Sequence, residues 1–131
     1  MTRPDIEREA RALAEREGLA AVFLFGSWAR GRQRPDSDVD LALLGTAALD
    51  PLALFDWAAG LESILGRPVD LVDLRSASPI LARQVLRHGS CVVRKDPRSV
   101  QEFIARTLTD YEDLKRARAP VERALLGSRR G

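Results

Sequence analysis

Residues 20–44, AAVFLFGSWARGRQRPDSDVDLALL, contain two apolar segments separated by a polar one. AAVFLF (20–25) is short, continuous and apolar, which is typical of a buried strand. GRQRPDS (31–37) is rich in residues that favour turns, and it is long enough to bring the chain back beside the first segment. DVDLALL (38–44) predicts the second strand. The stretch therefore predicts a strand–turn–strand unit at the centre of the fold.

The rest of the chain predicts helices and further strands around this unit. Cap-and-proline pairs begin helices, and glycines end them. The predicted elements are a helix (4–17), the two strands, a helix from Asp50 to Gly66, a strand (68–74), a helix from Ser78 to His88, an edge strand (90–94) and a last helix from Asp96. Because proline lacks an amide hydrogen, we expect Pro120 to break or kink the last helix. This order predicts one compact α/β domain.

Composition excludes several classes of function. The chain has 131 residues, the size of one domain, and a formal charge of only +2, too small to indicate nucleic-acid binding. One cysteine and one histidine exclude a disulfide framework and a Cys/His zinc site. No segment has the apolar length of a membrane span or the pattern of a signal peptide. We therefore expect a cytoplasmic protein without a membrane or nucleic-acid partner.

Asp38 and Asp40 are the first candidate site residues. Because residues two apart in a strand point to the same face, the two carboxylates lie about 6–7 Å apart along it. Like charges at that distance repel each other, and a cation between them would remove the repulsion. Carboxylate oxygens suit magnesium, which also accepts ligands from substrate phosphates. The pair therefore predicts a Mg²⁺ site.

Gly26 and Ser27 supply the complementary half of the predicted site. Glycine has no side chain to keep a ligand away from its backbone. If the following residues begin a helical turn, free amide hydrogens and the Ser27 hydroxyl face outward, which favours phosphate binding. Arg30 is equally consistent with neutralising phosphates and with a solvated position. Asp36 lies in the loop, where a role in the turn is favoured.

A third carboxylate would complete a site for two metal ions, and the strand PVDLVDL (68–74) offers Asp70 and Asp73. The two are three residues apart, so they point to opposite faces and only one can join Asp38 and Asp40. We favour Asp70, because Asp73 then shares the other face with Leu71.

These residues carry a family resemblance. Gly-Ser, ten residues, and then Asp-x-Asp resembles the signature of the DNA polymerase β nucleotidyltransferase superfamily, and GSWARGRQRPDSDVDL (26–41) is similar to its minimal branch. The resemblance covers roughly residues 5–95. It implies a small mixed sheet flanked by helices, with a minimal nucleotidyltransferase domain over 1–95. Residues 96–131 would form a C-terminal helix and basic tail of the same unit.

At this length the chain resembles the MntA-like antitoxins of HEPN–nucleotidyltransferase toxin–antitoxin pairs. That resemblance implies transfer of AMP from ATP to a tyrosine hydroxyl of a partner HEPN RNase toxin. It also implies that Asp38, Asp40 and Asp70 hold two Mg²⁺ ions, while Gly26, Ser27 and Arg30 bind the nucleotide. Two alternatives stay open: an aminoglycoside-type nucleotidyltransferase, and a binding module that neutralises a partner without catalysis. The first usually has a sizeable second domain, for which this chain has little room.

Overall fold

The computed structural model describes the backbone of residues 1–130 and the side chains of residues 1–125. Its elements, in chain order, are α1 (Arg3–Glu17), β1 (Ala21–Phe25), β2 (Val39–Leu44), α2 (Pro51–Leu65), β3 (Val69–Asp73), α3 (Pro79–His88), β4 (Ser90–Arg94) and α4 (Pro97–Arg130). These elements confirm the order predicted from the sequence. The arginines of the predicted basic tail, Arg129 and Arg130, lie outside the described side chains.

The four strands form one mixed sheet in the order β3-β2-β1-β4. β1 is antiparallel to both of its neighbours. β3 runs parallel to β2, with α2 as the crossover connection. The mixed sheet and the edge position of β4 are both confirmed. In this register Asp40 lies between Phe25 on one side and Asp70 on the other.

Helices cover both faces of the sheet, which explains why its strands are almost continuously apolar. On one side, which we call the α1–α2 face, apolar residues of those two helices pack on Val22, Leu24, Val39, Leu41 and Leu43. On the other side, the α3–α4 face, residues of α3 and α4 pack on Ala21, Phe23, Ala42 and Leu44. Asp40 alternates with Leu41, so its side chain belongs to the α3–α4 face.

Local sequence signals set the helix ends. The Asp50 side chain accepts a hydrogen bond from the Leu52 amide at the start of α2, and Ser78 caps the Leu81 amide at the start of α3. Each cap is followed directly by proline at the first helical position, as predicted. Gly66 ends α2 in the left-handed conformation, at φ 70°.

Of the two predicted effects of Pro120, the break is wrong, because α4 continues through it to Arg130, and the kink stays a prediction. A proline removes one backbone hydrogen bond, here to the carbonyl of Arg116. Both residues are exposed, so water can satisfy that carbonyl and the helix persists. Within the described part of the chain, no helix is both long enough and apolar enough to span a membrane.

Candidate active site

The Gly-Ser pair forms a tight turn at the end of β1. Residues Gly26–Trp28 adopt one 3₁₀ turn, in which the Ala29 amide donates to the Gly26 carbonyl. The Arg32 amide donates to the Ser27 carbonyl over 3.0 Å, which fixes the start of the following loop. The Ser27 hydroxyl is partly exposed and has no hydrogen-bond partner among the described side chains. It is therefore available to a ligand.

Gly26 is required at its position for two reasons. Its φ of +73° lies in the left-handed region that other residues rarely adopt. In addition, a Cβ at this position would overlap Oδ2 of Asp40, so the carboxylate lies directly against the glycine backbone. The sequence argument assigned Gly26 to close approach of a ligand and missed its contact with Asp40. The antiparallel register, in which Phe25 pairs with Asp40, is the signal that locates this contact.

The three aspartates predicted from the sequence act on one another in the structure. Asp40 is partly buried in β2, while Asp38 at its start and Asp70 in β3 are exposed. Burial raises the pKa of Asp40 above its usual value, and the charges of Asp70 and then Asp38 raise it further. Asp40 and Asp70 are register partners on adjacent parallel strands, so their side chains lie on the same face. The structure thus brings the three carboxylates together.

The donor set fits a hard divalent cation. None of the three aspartates has an ion-pair partner among the residues with described side chains. As the described side chains are placed, no group of three or more His, Cys, Asp or Glu could by itself hold a metal ion. The open arrangement agrees with magnesium, which takes one or two protein carboxylates and fills its shell with waters and phosphate oxygens. The carboxylates repel each other and no described cationic side chain pairs with them. A bound divalent ion would remove this repulsion.

Asp73 lies on the opposite face from this cluster and is already occupied. It is only 7% exposed. Its carboxylate accepts hydrogen bonds from the Leu49 amide (2.9 Å), the Arg75 amide (3.2 Å) and the Ser76 hydroxyl (2.8 Å). These bonds tie the loop after β2 to the end of β3. Of the two candidates in β3, only Asp70 lies beside Asp40.

The two other residues near the turn occupy different environments. Arg30 is exposed and has no ion-pair partner among the described residues, so its guanidinium is free to meet an anion. Trp28 is buried in the core of the α1–α2 face. It anchors the turn to the domain interior. Its indole N–H has no hydrogen-bond partner in the described structure.

Comparisons with known proteins agree with this geometry. Residues 9–98 match the family described as Polymerase beta, Nucleotidyltransferase. The chain is 37% identical over 105 residues to the protein adenylyltransferase MntA of Shewanella oneidensis, an alignment that covers 79% of this chain and 73% of that protein. It is 36% identical over 77 residues to an MntA of Thermococcus cleftensis, which covers 59% and 78% of the two chains.

Solved structures give the same result. One is a chain of a toxin–antitoxin crystal structure with AMP-PNP, at a TM-score of 0.81 and 33% identity, over 92% of this chain and 98% of that one. Another comes from a complex of the tri-AMPylated Shewanella oneidensis HEPN toxin with its MNT antitoxin, at a TM-score of 0.72 and 29% identity over the same shares. The chain belongs to the polymerase β nucleotidyltransferase family.

Proposed function

We propose that this chain transfers AMP from ATP to a tyrosine hydroxyl of a partner HEPN-domain RNase toxin, and that it thereby acts as the antitoxin. The observation that carries the proposal is the position of Asp40, packed on Gly26 and beside Asp70. In this arrangement the carboxylates that would hold the metal lie next to the turn suited to phosphates. Relatives named protein adenylyltransferase and structural neighbours from toxin–antitoxin complexes, one with AMP-PNP, support it.

The turn after β1 would hold the triphosphate. The Gly26 backbone admits an anion closely, the Ser27 hydroxyl is free to donate, and the exposed Arg30 lies within one turn of both. Trp28 keeps the turn in place through its burial in the core. Binding energy at this end would therefore orient the α-phosphorus toward the carboxylates.

Asp38, Asp40 and Asp70 would hold the magnesium. Bound Mg²⁺ would stabilise negative charge that develops around the α-phosphorus and lower the pKa of the acceptor hydroxyl. The protein contributes the fixed spacing of the carboxylates, because Asp40 and Asp70 are held by paired strands. Asp38 directly precedes β2 and lies outside the paired residues.

The reaction exchanges a phosphoanhydride bond of ATP for a phosphoester bond to the acceptor. The acceptor tyrosine oxygen forms a bond to the α-phosphorus as the bond from that phosphorus to the bridging oxygen breaks, and pyrophosphate leaves. The hydroxyl proton passes to a carboxylate within reach, for which Asp70 is our candidate. Because Asp70 is exposed, it can return that proton to water.

Labelled ATP tests the proposal directly. The purified chain is incubated with Mg²⁺, labelled ATP and the purified product of the adjacent gene, and label is expected on that protein. The double variant Asp38→Asn/Asp40→Asn should remain folded and transfer no label, whereas Asp36→Asn, an exposed loop substitution, should transfer normally. Full neutralisation of the toxin by the double variant would support the binding-module alternative, and label on an aminoglycoside would support the small-molecule one.

A further inference from the structure

A groove between α3 and α4 remains open on the outer side of the domain. It has a volume of about 250 Å³ and is lined by Arg83, Leu86, Arg87, Ile104, Thr107 and Leu108. Leu108 is 51% exposed and Ile104 is 36% exposed, although both carry large aliphatic side chains. We call this feature the α3–α4 groove. Its floor is apolar and its edge is cationic.

The apolar surface continues along α4 past the groove. Past the groove, Tyr111, Leu114 and Val121 follow helical spacing, so they form one stripe. Val121 is 62% exposed, and among the residues with described side chains neither hydrophobic core extends beyond Phe103. At 34 residues, α4 is about 50 Å long, far longer than the sheet requires. Apolar residues in line on a helix that projects from its domain are typical of a contact surface.

The charges around the groove have one sign. α3 carries Arg83 and Arg87 and no acidic residue, and neither arginine has an ion-pair partner among the described side chains. Arg83 lies over the ring of Tyr111 at 4.5 Å, which holds its charge beside the stripe. Lys115, one turn further along α4, likewise has no acidic partner in the described structure. The groove therefore presents positive charges that form no ion pair with any described acidic side chain.

We propose that the α3–α4 groove is the docking surface for a helix of the acceptor protein, one with an apolar face and an acidic flank. The proposal rests on the function proposed above, since it names the surface that would bring that acceptor to the site. A linear apolar groove between two helices matches the row of anchors that an amphipathic helix presents. An acidic flank would pair with Arg83 and Arg87.

The position of the groove supports this assignment. α3 and α4 lie on the same face of the sheet as Asp40 and Asp70. α3 ends at Gly89, whose position lies against the carbonyl of Leu24, near the end of β1 where the Gly26 turn begins. An acceptor held in the groove is therefore on the side of the domain that carries the carboxylates.

Two other occupants fit less well. In a symmetric dimer built on this groove, the Arg83 and Arg87 side chains of one copy would face those of the other, which is repulsive. A nucleic acid would leave the apolar floor without a partner. A protein helix satisfies both the apolar floor and the cationic edge.

A matched pair of double variants tests the proposal. Arg83→Glu/Leu108→Asp alters the groove, while Arg11→Glu/Phe55→Asp makes the same kinds of change at exposed positions on α1 and α2, the opposite side of the sheet. Binding of each to the purified product of the adjacent gene is measured by calorimetry without nucleotide, and thermal melting confirms that both variants fold. We expect the groove variant to raise Kd by roughly 30-fold or more, as for an interface hot spot, and the control to change it by less than about threefold.

Other results would overturn the inference in distinguishable ways. If the unaltered chain binds and labels the acceptor but the groove variant binds equally well, the docking surface is elsewhere and the proposed function stands. Loss of binding by the Arg11→Glu/Phe55→Asp control alone places the acceptor on the α1–α2 face. A groove variant that changes only self-association in ultracentrifugation identifies a second copy as the occupant. If the unaltered chain neither binds nor labels the acceptor, the proposed function fails together with this inference.

Discussion

Both the backbone conformation of the turn and the geometry of the site depend on Gly26. A Gly26→Ala substitution must place a side chain at φ +73° and against Oδ2 of Asp40. Gly31→Ala is the matched control, because Gly31 has a φ of +68° but open space around its Cα. We expect Gly31→Ala to cost about 1 kcal/mol of stability and to leave AMP transfer nearly unchanged. Gly26→Ala should cost more and reduce transfer by about 100-fold, because it displaces a carboxylate. Transfer rates and denaturant melts measure both, and equal effects at the two glycines would show that the Asp40 contact has no functional role.

Asp40 is expected to reduce the stability of the metal-free protein. Burial, with the charges of Asp70 and Asp38, raises its pKa in the native state above the usual 3.8. The native state then binds this proton more tightly than the unfolded chain does. Stability therefore falls as pH rises from about 3.8 through the raised pKa, and the penalty is complete above that pKa. Asp40→Asn should therefore raise the melting temperature at pH 7 while abolishing transfer. Since the site is open to solvent, the gain should stay below about 1 kcal/mol.

The pH series provides the control for that prediction. Below pH 3.8 the carboxylate is neutral in both states, so the advantage of Asp40→Asn should disappear. Mg²⁺ should raise the melting temperature of the unaltered chain and have little effect on the variant. Asp36→Asn, which removes an exposed loop charge, should change neither result. A variant that melts below the unaltered chain at pH 7 would mean that Asp40 stabilises the fold.

The two aspartates of β3 have different expected roles: Asp70 serves catalysis and Asp73 serves stability. Asp70→Asn changes an exposed side chain, so we expect stability to move by less than about 0.5 kcal/mol while transfer falls by 100-fold or more. Asp73→Asn weakens three hydrogen bonds to a buried carboxylate and should cost about 2–3 kcal/mol, with transfer retained at temperatures where the variant is folded. Melting curves and transfer rates at low temperature measure both effects. Loss of Mg²⁺-dependent transfer in folded Asp73→Asn would reverse the assignment.

Strand β3 also shows which parts of the site can be predicted from the sequence alone. A period of two places Asp38 with Asp40 and separates Asp70 from Asp73 without any structure. It does not reveal that β3 runs parallel to β2 with Asp70 opposite Asp40, because register depends on the α2 crossover and on packing across the sheet. The contact of Gly26 with Asp40 is hidden for the same reason. At Pro120 local propensity misled the prediction, since the lost hydrogen bond falls on an exposed carbonyl.

The molecule as a whole consists of a packed domain and a C-terminal helix, α4, that extends beyond it. Among the residues with described side chains, neither core extends beyond Phe103. The Arg118–Glu122 ion pair on the distal part of α4 is exposed, so it contributes little to stability. Deleting residues 117–131 should therefore shift the melting temperature by no more than about 2 °C. Phe103→Ala, which empties a buried position within the same helix, should cost about 3–5 kcal/mol. The deletion should weaken acceptor binding, because it removes Val121 from the apolar stripe while leaving the carboxylates and the Gly26 turn intact. If the deletion lowers the melting temperature as much as Phe103→Ala does, the distal helix is part of the folded core, and its apolar stripe serves stability instead of binding a partner.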